Sequence, residues 1–276
     1  YNPAGRVGSH KNTFYSAFQV NHMITPKFFY ELKIAYMKNK TGTYLYEDSL
    51  DTRYVHDKYL ESYGSGFFTG GQQKEHTKHR DLDQTIKFDV TWQANHNHSF
   101  KFGLMGISHD VKHKWQMIRN KYDGQSDLSI YEPEVFGDST VYADIFEVKP
   151  KEAAAYIQDK MEFENMVINF GIRYDYFDPA SYYPSDRRNP ANQLVLPDSM
   201  MSTQIDAPVI DQLSPRVGFA YQLGGQAVLH FSYGHFFQMP PLYSMYQNKS
   251  FLIGPSDYST TMGSVLLEPE KTITYE

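Results

Sequence analysis

The chain has 276 residues, no cysteine, 26 basic against 32 acidic residues and a formal net charge of −6. The missing cysteines exclude thiol catalysis, cysteine-ligated zinc and a disulfide framework. The acidic balance argues against a dedicated nucleic-acid binder, which usually carries a basic patch. The length allows one large domain or two ordinary ones, enough to bury a core without a structural metal. Aromatic residues make up 16%, with 23 Tyr and 19 Phe but only 2 Trp. Tyr suits places where one end of a side chain is apolar and the other wet, as at a membrane–water boundary. Mean hydropathy is nevertheless −0.57, and no run approaches the roughly 20 apolar residues of a spanning helix. Composition fits a transmembrane barrel and a soluble carbohydrate-binding β protein equally well.

The chain opens on Tyr1-Asn2-Pro3 with no basic or apolar leader region, which predicts no signal peptide here. From Thr13 to Asn21 apolar and polar residues alternate, with Phe14, Phe18 and Val20 on one face and Tyr15, Ala17 and Gln19 on the other. Alternation is the period of a strand, because successive side chains point to opposite sides of a pleated sheet. After a break at His22–Pro26, alternation returns over Phe28–Lys40, setting Tyr30, Leu32, Ile34 and Tyr36 against Glu31, Lys33 and Ala35. An irregular stretch, 41–80, follows. Ile86, Phe88, Val90 and Trp92 then oppose Thr85, Lys87, Asp89 and Thr91; beyond a short break at Ala94–His98, Phe100, Phe102 and Leu104 share the next row. A second long stretch, 113–149, is acidic, with Asp123, Asp127, Glu132, Glu134, Asp138, Asp144 and Glu147.

Residues 153–178 read as a hairpin turning at Glu162–Asn165. In its second strand Ile168, Phe170, Ile172, Tyr174 and Tyr176 share one face, and Val167, Asn169, Gly171, Arg173 and Asp175 the other. In its first strand Asp159 falls among Ile157 and Met161. A third long stretch, 179–212, contains several prolines and the pair Tyr182-Tyr183. Val217, Phe219 and Tyr221 then alternate with Arg216, Gly218 and Ala220; Gly224-Gly225 supplies a tight turn. Leu229, Phe231 and Tyr233 return against His230, Ser232 and Gly234. A fourth long stretch, 240–267, precedes Lys271–Glu276, which reads as a strand cut short. A larger protein is expected.

Short turn and long loop thus alternate four times along about nine strands. A sandwich has no reason to alternate its connection lengths, whereas an outer-membrane barrel does so by construction, with short periplasmic turns and long extracellular loops. Without a spanning helix, a membrane reading demands a closed barrel, since every backbone N–H and C=O needs a partner in lipid. The fold class expected is all-β, an antiparallel transmembrane β-barrel occupying 1–276 as part of a larger one. Apolar rows would meet lipid and charged rows enclosed water.

Several phrases carry a family resemblance. AAAYIQDKMEF followed by VINFGIRYDYFDP, then LSPRVGFAYQL with AVLHFSYGHFFQMPPLY, and the closing LEPEKTITYE resemble barrel strands of TonB-dependent receptors. The match covers 149–276 in wording and 1–114 in pattern, and its flavour is similar to Bacteroidota-type, SusC-related receptors. The resemblance implies a 22-stranded barrel in a Gram-negative outer membrane, plugged by an N-terminal domain. It further implies coupling to the TonB–ExbB–ExbD complex and, for the SusC-related type, a SusD-like surface lipoprotein. The nutrient would be an iron chelate, glycan or peptide. Neither a plug nor a TonB box is read in this chain. The competing readings are a soluble extracellular carbohydrate-binding or adhesive module and a passive porin-like channel.

Candidate ligand-binding aromatics are Trp115, Tyr182, Tyr183, Tyr243 and Tyr246, in or beside long loops, where rings can stack on sugars or grip a peptide. Packing between loops is the plain alternative. Arg173, Asp175, Arg216 and His230 are read as lumen-facing polar residues. Glu75, His76 and His79 lack helical context and a clear third ligand, so no metal site is assigned and no cofactor is expected. His96 and His98 read as a solvated turn, and His109 and His113 in the same way. The acidic loop lacks calcium-loop spacing. No Gly-x-Ser-x-Gly elbow exists, and a non-enzyme is expected.

Overall fold

A computed structural model describes residues 2–60, 70–125, 130–187, 189, 192, 198–249 and 261–276. Its centre is one antiparallel sheet of ten strands. The first four are β1 (Gly8–Thr25), β2 (Phe28–Tyr44), β3 (Glu75–Gln93) and β4 (His98–Met117). A small ribbon joins β5 (Arg119–Asn120) to β6 (Pro133–Glu134). The sheet continues with β7 (Ala143–Val148), β8 (Lys151–Phe163) and β9 (Met166–Asp178); a second ribbon pairs β10 (Tyr182–Pro184) with β11 (Gln204–Asp206). It ends with β12 (Ile210–Leu223), β13 (Ala227–Gln238) and β14 (Glu270–Tyr275), and a one-turn helix α1 (Leu242–Tyr246) lies between the last two.

β7 and β8 are one lane. Val148 faces Val111 and Lys151 faces Ser108 on β4, so the two residues between keep step with the two between on the partner. The His109 N–H donates to the Pro150 carbonyl at 3.0 Å. The sheet therefore has nine lanes, ordered β1-β2-β3-β4-β8-β9-β12-β13-β14, and among the described residues it does not close on itself. Its short connections are 26–27, 94–97, 164–165 and 224–226, each followed by a long loop. The Asn95 carboxamide oxygen accepts from the N–H groups of Asn97 and His98 at 2.8 and 3.0 Å, an Asx turn. Gly224 has φ +60, a left-handed conformation that glycine adopts without strain.

The register aligns every apolar row on a single face. Phe18 faces Ile34, Ile34 faces Ile86, Leu104 faces Ala155, Ala155 faces Tyr174, Phe170 faces Val217 and Phe219 faces Phe231. Among the described residues nothing covers that face: Phe18 is 64% exposed, Leu104 60% and Leu213 60%. A sandwich would stack a second sheet there, because burying each such side chain is worth about 1.5–3 kcal/mol. On β3 the apolar row runs from Leu82 to Trp92. At roughly 3.3 Å per residue and a tilt of roughly 40°, it spans about 25–28 Å, the height of a transmembrane barrel's apolar band.

The strands run further than alternating hydrophobicity suggests. β2 continues to Tyr44, β3 starts at Glu75 and β4 reaches Met117, all within stretches expected to be irregular. These extensions keep their hydrogen-bond ladder but carry Lys, His and Asp, because they lie beyond the apolar rows. Among the described residues, the core of buried side chains is at the loop end, on the polar face. It joins Val111, Phe146, Val148, Phe177, Met245, Tyr246 and Val265, with Ile210, Leu242 and Tyr183 packed against them.

Candidate functional site

Along the polar face, charges meet in pairs within and between lanes. Arg173 Nε donates to both carboxylate oxygens of Asp175 at 2.8 and 3.0 Å. Lys87 Nζ lies 2.7 Å from Asp89, whose other oxygen accepts the Tyr156 hydroxyl at 2.7 Å. The Tyr156 ring lies flat across Gly103: a Cβ there would sit 2.0 Å from Tyr156 Cε1. His109 lies between two acids, with Nδ1 2.7 Å from Asp83 and Nε2 3.4 Å from Glu152. Arg216 places its guanidinium 4.7 Å over the Phe236 ring. Together with Arg173, Gly171, Gly218 and Ser232, it lines a cavity of about 470 Å³. His230 faces Ala220 in the register, at the turn end of the same side.

At the loop end, β3 supplies His79, β4 supplies His113 and β7 supplies Phe146. The two Nδ1 atoms of His79 and His113 are 3.3 Å apart, and His79 Nε2 lies 2.8 Å from Asp81. His113 stacks on Phe146 with centroids 5.1 Å apart. Helix α1 lowers Tyr243 edge-on to His113 at 5.0 Å. One turn on, Tyr246 is fully buried and its hydroxyl donates to the Pro179 carbonyl at 2.7 Å. Burial pushes the Tyr246 and Tyr243 hydroxyls up from the usual phenol range. Asp144 accepts the Asn248 N–H at 3.0 Å, and burial raises its carboxyl above the ordinary value. A cavity of about 1400 Å³ opens beside this cluster, lined by His79, His113, Phe146, Tyr182, Gln204 and Lys249 among others.

The five candidate aromatics thus divide. Tyr182 and Tyr243 are exposed, and Lys249 Nζ lies 5.4 Å over the Tyr182 ring. Trp115 is half-buried on β4, opposite Asp144. Tyr183 packs against the core and Tyr246 lies inside it, so Tyr246 offers no surface to a ligand. Arg173, Asp175, Arg216 and His230 all fall on the face opposite the apolar rows.

The histidines correct two expectations. Glu75, His76 and His79 sit in strand β3, so His76 and His79 point to opposite faces; His76 Nε2 meets the Glu47 carbonyl at 3.1 Å and stacks on Tyr44. His109 and His113 are buried in β4, not in a solvated turn. The sequence carried no such signal: Lys78, His79, Arg80 and Asp81 are all polar, so no apolar row marks this part of the strand. Among the described residues no three His, Asp or Glu side chains converge as metal ligands. The acidic loop is dispersed into separate contacts. Glu132 takes Lys121 at 2.7 Å, Glu147 takes Lys112 at 2.6 Å, and Asp123 pairs with Arg119. Asp127 lies outside the described residues. Asp159 does share the apolar face, where it is 2.7 Å from His98 Nδ1 beside a short turn.

Comparison with solved structures finds the same architecture. The copper transporter OprC matches 98% of this chain with a TM-score of 0.59 at 14% identity, over 36% of its own length. The ferric-catecholate import receptor Fiu of E. coli K12 matches 99% with a TM-score of 0.53 at 12% identity, over 38% of its length. The chain therefore spans little more than a third of either. No curated protein matches the sequence. The family described as TonB dependent receptor-like, beta-barrel matches residues 2–276. With nearly the whole chain matched, the protein belongs to the TonB-dependent receptor-like β-barrel family.

Proposed function

We propose that this chain forms part of the barrel wall of an outer-membrane receptor of a Gram-negative bacterium, one that imports a scarce or bulky nutrient by energy-coupled transport. One observation carries the reading. Nine lanes place their apolar side chains on one face, uncovered among the described residues, while at the height of those rows the ion pairs Lys87–Asp89 and Arg173–Asp175 lie on the other, the division a wall between lipid and a wet lumen requires. Arg173, Asp175, Arg216 and His230 then line the lumen. Tyr182 and Tyr243 stand at its extracellular mouth, where exposed rings suit a ligand with a flat or ring-bearing surface, such as a glycan, a peptide or an aromatic iron chelate. A plug domain elsewhere in the full protein and the TonB–ExbB–ExbD complex would supply gating and energy. Kinship with SusC-related receptors of Bacteroidota adds a SusD-like lipoprotein, to be sought by co-purification.

The test is nutrient uptake by cells carrying the full reading frame, with and without a proton uncoupler. Uptake that collapses with the gradient supports the reading. Gradient-independent uptake supports the passive channel, and recovery of the protein in the aqueous fraction without detergent supports the soluble module.

A further inference from the structure

We propose that the outward side of β2, β3, β4 and the β7–β8 lane, just beyond its apolar rows, binds the phosphate groups of lipid headgroups in the leaflet on the long-loop side. The proposal rests on the membrane reading above. In each of these lanes the apolar row gives way to cations on the same face. On β2, Tyr30, Leu32, Ile34 and Tyr36 are followed by Lys38 and Lys40; on β3, Leu82 is followed by Arg80 and Lys78. On β4, Leu104, Gly106 and Ser108 lead to Asp110, Lys112 and Lys114; on the next lane, Ala155 and Ala153 lead to Lys151, Lys149 and Glu147. The register brings them together: Lys40 faces Arg80, Arg80 faces Lys112, Lys112 faces Glu147 and Lys78 faces Lys114.

Two of these cations have carboxylate partners, Arg80 with Asp110 at 2.8 Å and Lys112 with Glu147 at 2.6 Å. Among the described residues, Lys38, Lys40, Lys78, Lys114, Lys149 and Lys151 have none; Lys78 donates one bond to the Glu47 carbonyl at 3.0 Å. This concentration runs against a chain with a net charge of −6. The other face at the same height carries acids, Asp81, Asp83 and Glu152. Further round, the outward positions beyond Tyr176 are Asp178 and Asp211 and β14 adds the single cation Lys271, so the cluster of cations lies on one side of the wall. A lysine here rests its aliphatic stem on the last apolar row and presents its ammonium at headgroup level. Each cation near an anionic bilayer surface strengthens attachment about fivefold.

The experiment uses the full-length protein in nonionic micelles, titrated with diphosphoryl lipid A and with lipid A stripped of phosphate. The variant K40Q/K78Q/K114Q is compared with a polar-face control, K33Q/K87Q/K101Q. The expected result is at least about a tenfold loss of affinity for the phosphorylated lipid in the first variant only, with binding of the stripped lipid unchanged. Equal loss in both variants, no loss in either, or displacement of the lipid by equimolar inositol hexakisphosphate would overturn the proposal; the last would mark a soluble-anion site instead. Should the first variant fail to fold, wild-type binding across about 0.05 to 0.5 M salt decides: phosphorylated lipid alone should weaken, and salt-independent binding overturns it. A protein that stays membrane-embedded yet shows no phosphate preference sinks this inference and leaves the transport reading standing.

Discussion

At the turn end of the sheet, Phe170 stands 47% exposed among Ile168, Ile172 and Val217, whereas at the loop end Tyr246 is completely buried. Both are large aromatics on or beside the same lanes. The loop end buries its apolar side chains against one another, as a water-soluble domain does, and the enclosed Tyr246 hydroxyl donates to the Pro179 carbonyl. The turn end leaves its rows for a solvent that is itself apolar. The contrast shows why a chain with negative mean hydropathy can still be a membrane wall: only alternate residues over part of each strand need to be greasy.

Substitutions can break or sharpen this contrast. The largest effect is expected from Tyr246→Ala, which empties a closed site and should cost about 3–5 kcal/mol. Hydrogen exchange should speed up around α1 and Pro179 while the turn-end strands keep their protection; uniform loosening would mean the two ends are one cooperative unit. Phe170→Lys should cost about 2–4 kcal/mol in folding titrations into lipid vesicles, and Asn169→Lys, one residue away, less than about 1 kcal/mol. Equal costs would contradict the facing.

Gly103→Ala should lift the Tyr156 ring off the sheet and cost about 1–3 kcal/mol through overpacking. Adding Tyr156→Ala should recover part of that loss, a non-additivity expected of residues in direct contact. The smallest effect concerns pH. Because burial raises the Asp144 carboxyl above its ordinary value of 3.8, the docked loop end takes up a proton more readily than the undocked one. Docking should therefore be weaker above the raised value and tighten as pH falls through it, levelling off below the ordinary one. Exchange of the Asn248 amide followed against pH should show this slope, and Asp144→Asn should flatten it.

The strand rows were legible because period-two alternation is a local property of the chain, and so was the division between an apolar and a polar face. Arg173, Asp175, Arg216 and His230 share the face opposite the apolar rows, as their place in the alternation requires. The aromatic candidates were less legible. Tyr182 and Tyr183 are adjacent in sequence, yet one is exposed and the other packed, because the β10–β11 ribbon turns them opposite ways over the core.

By itself, then, the sequence determined the all-β class, the alternation of short turns with long loops, and which side chains share a face within each strand. Only the tertiary structure decided which lanes are neighbours and in what register. That step joined His79 to His113 across 34 residues, closed Tyr246 over Pro179 and gathered lysines from separate strands into one patch. The physical reason is that a strand's facing follows from its own pleat, whereas its register is fixed by hydrogen bonds to partners distant in sequence.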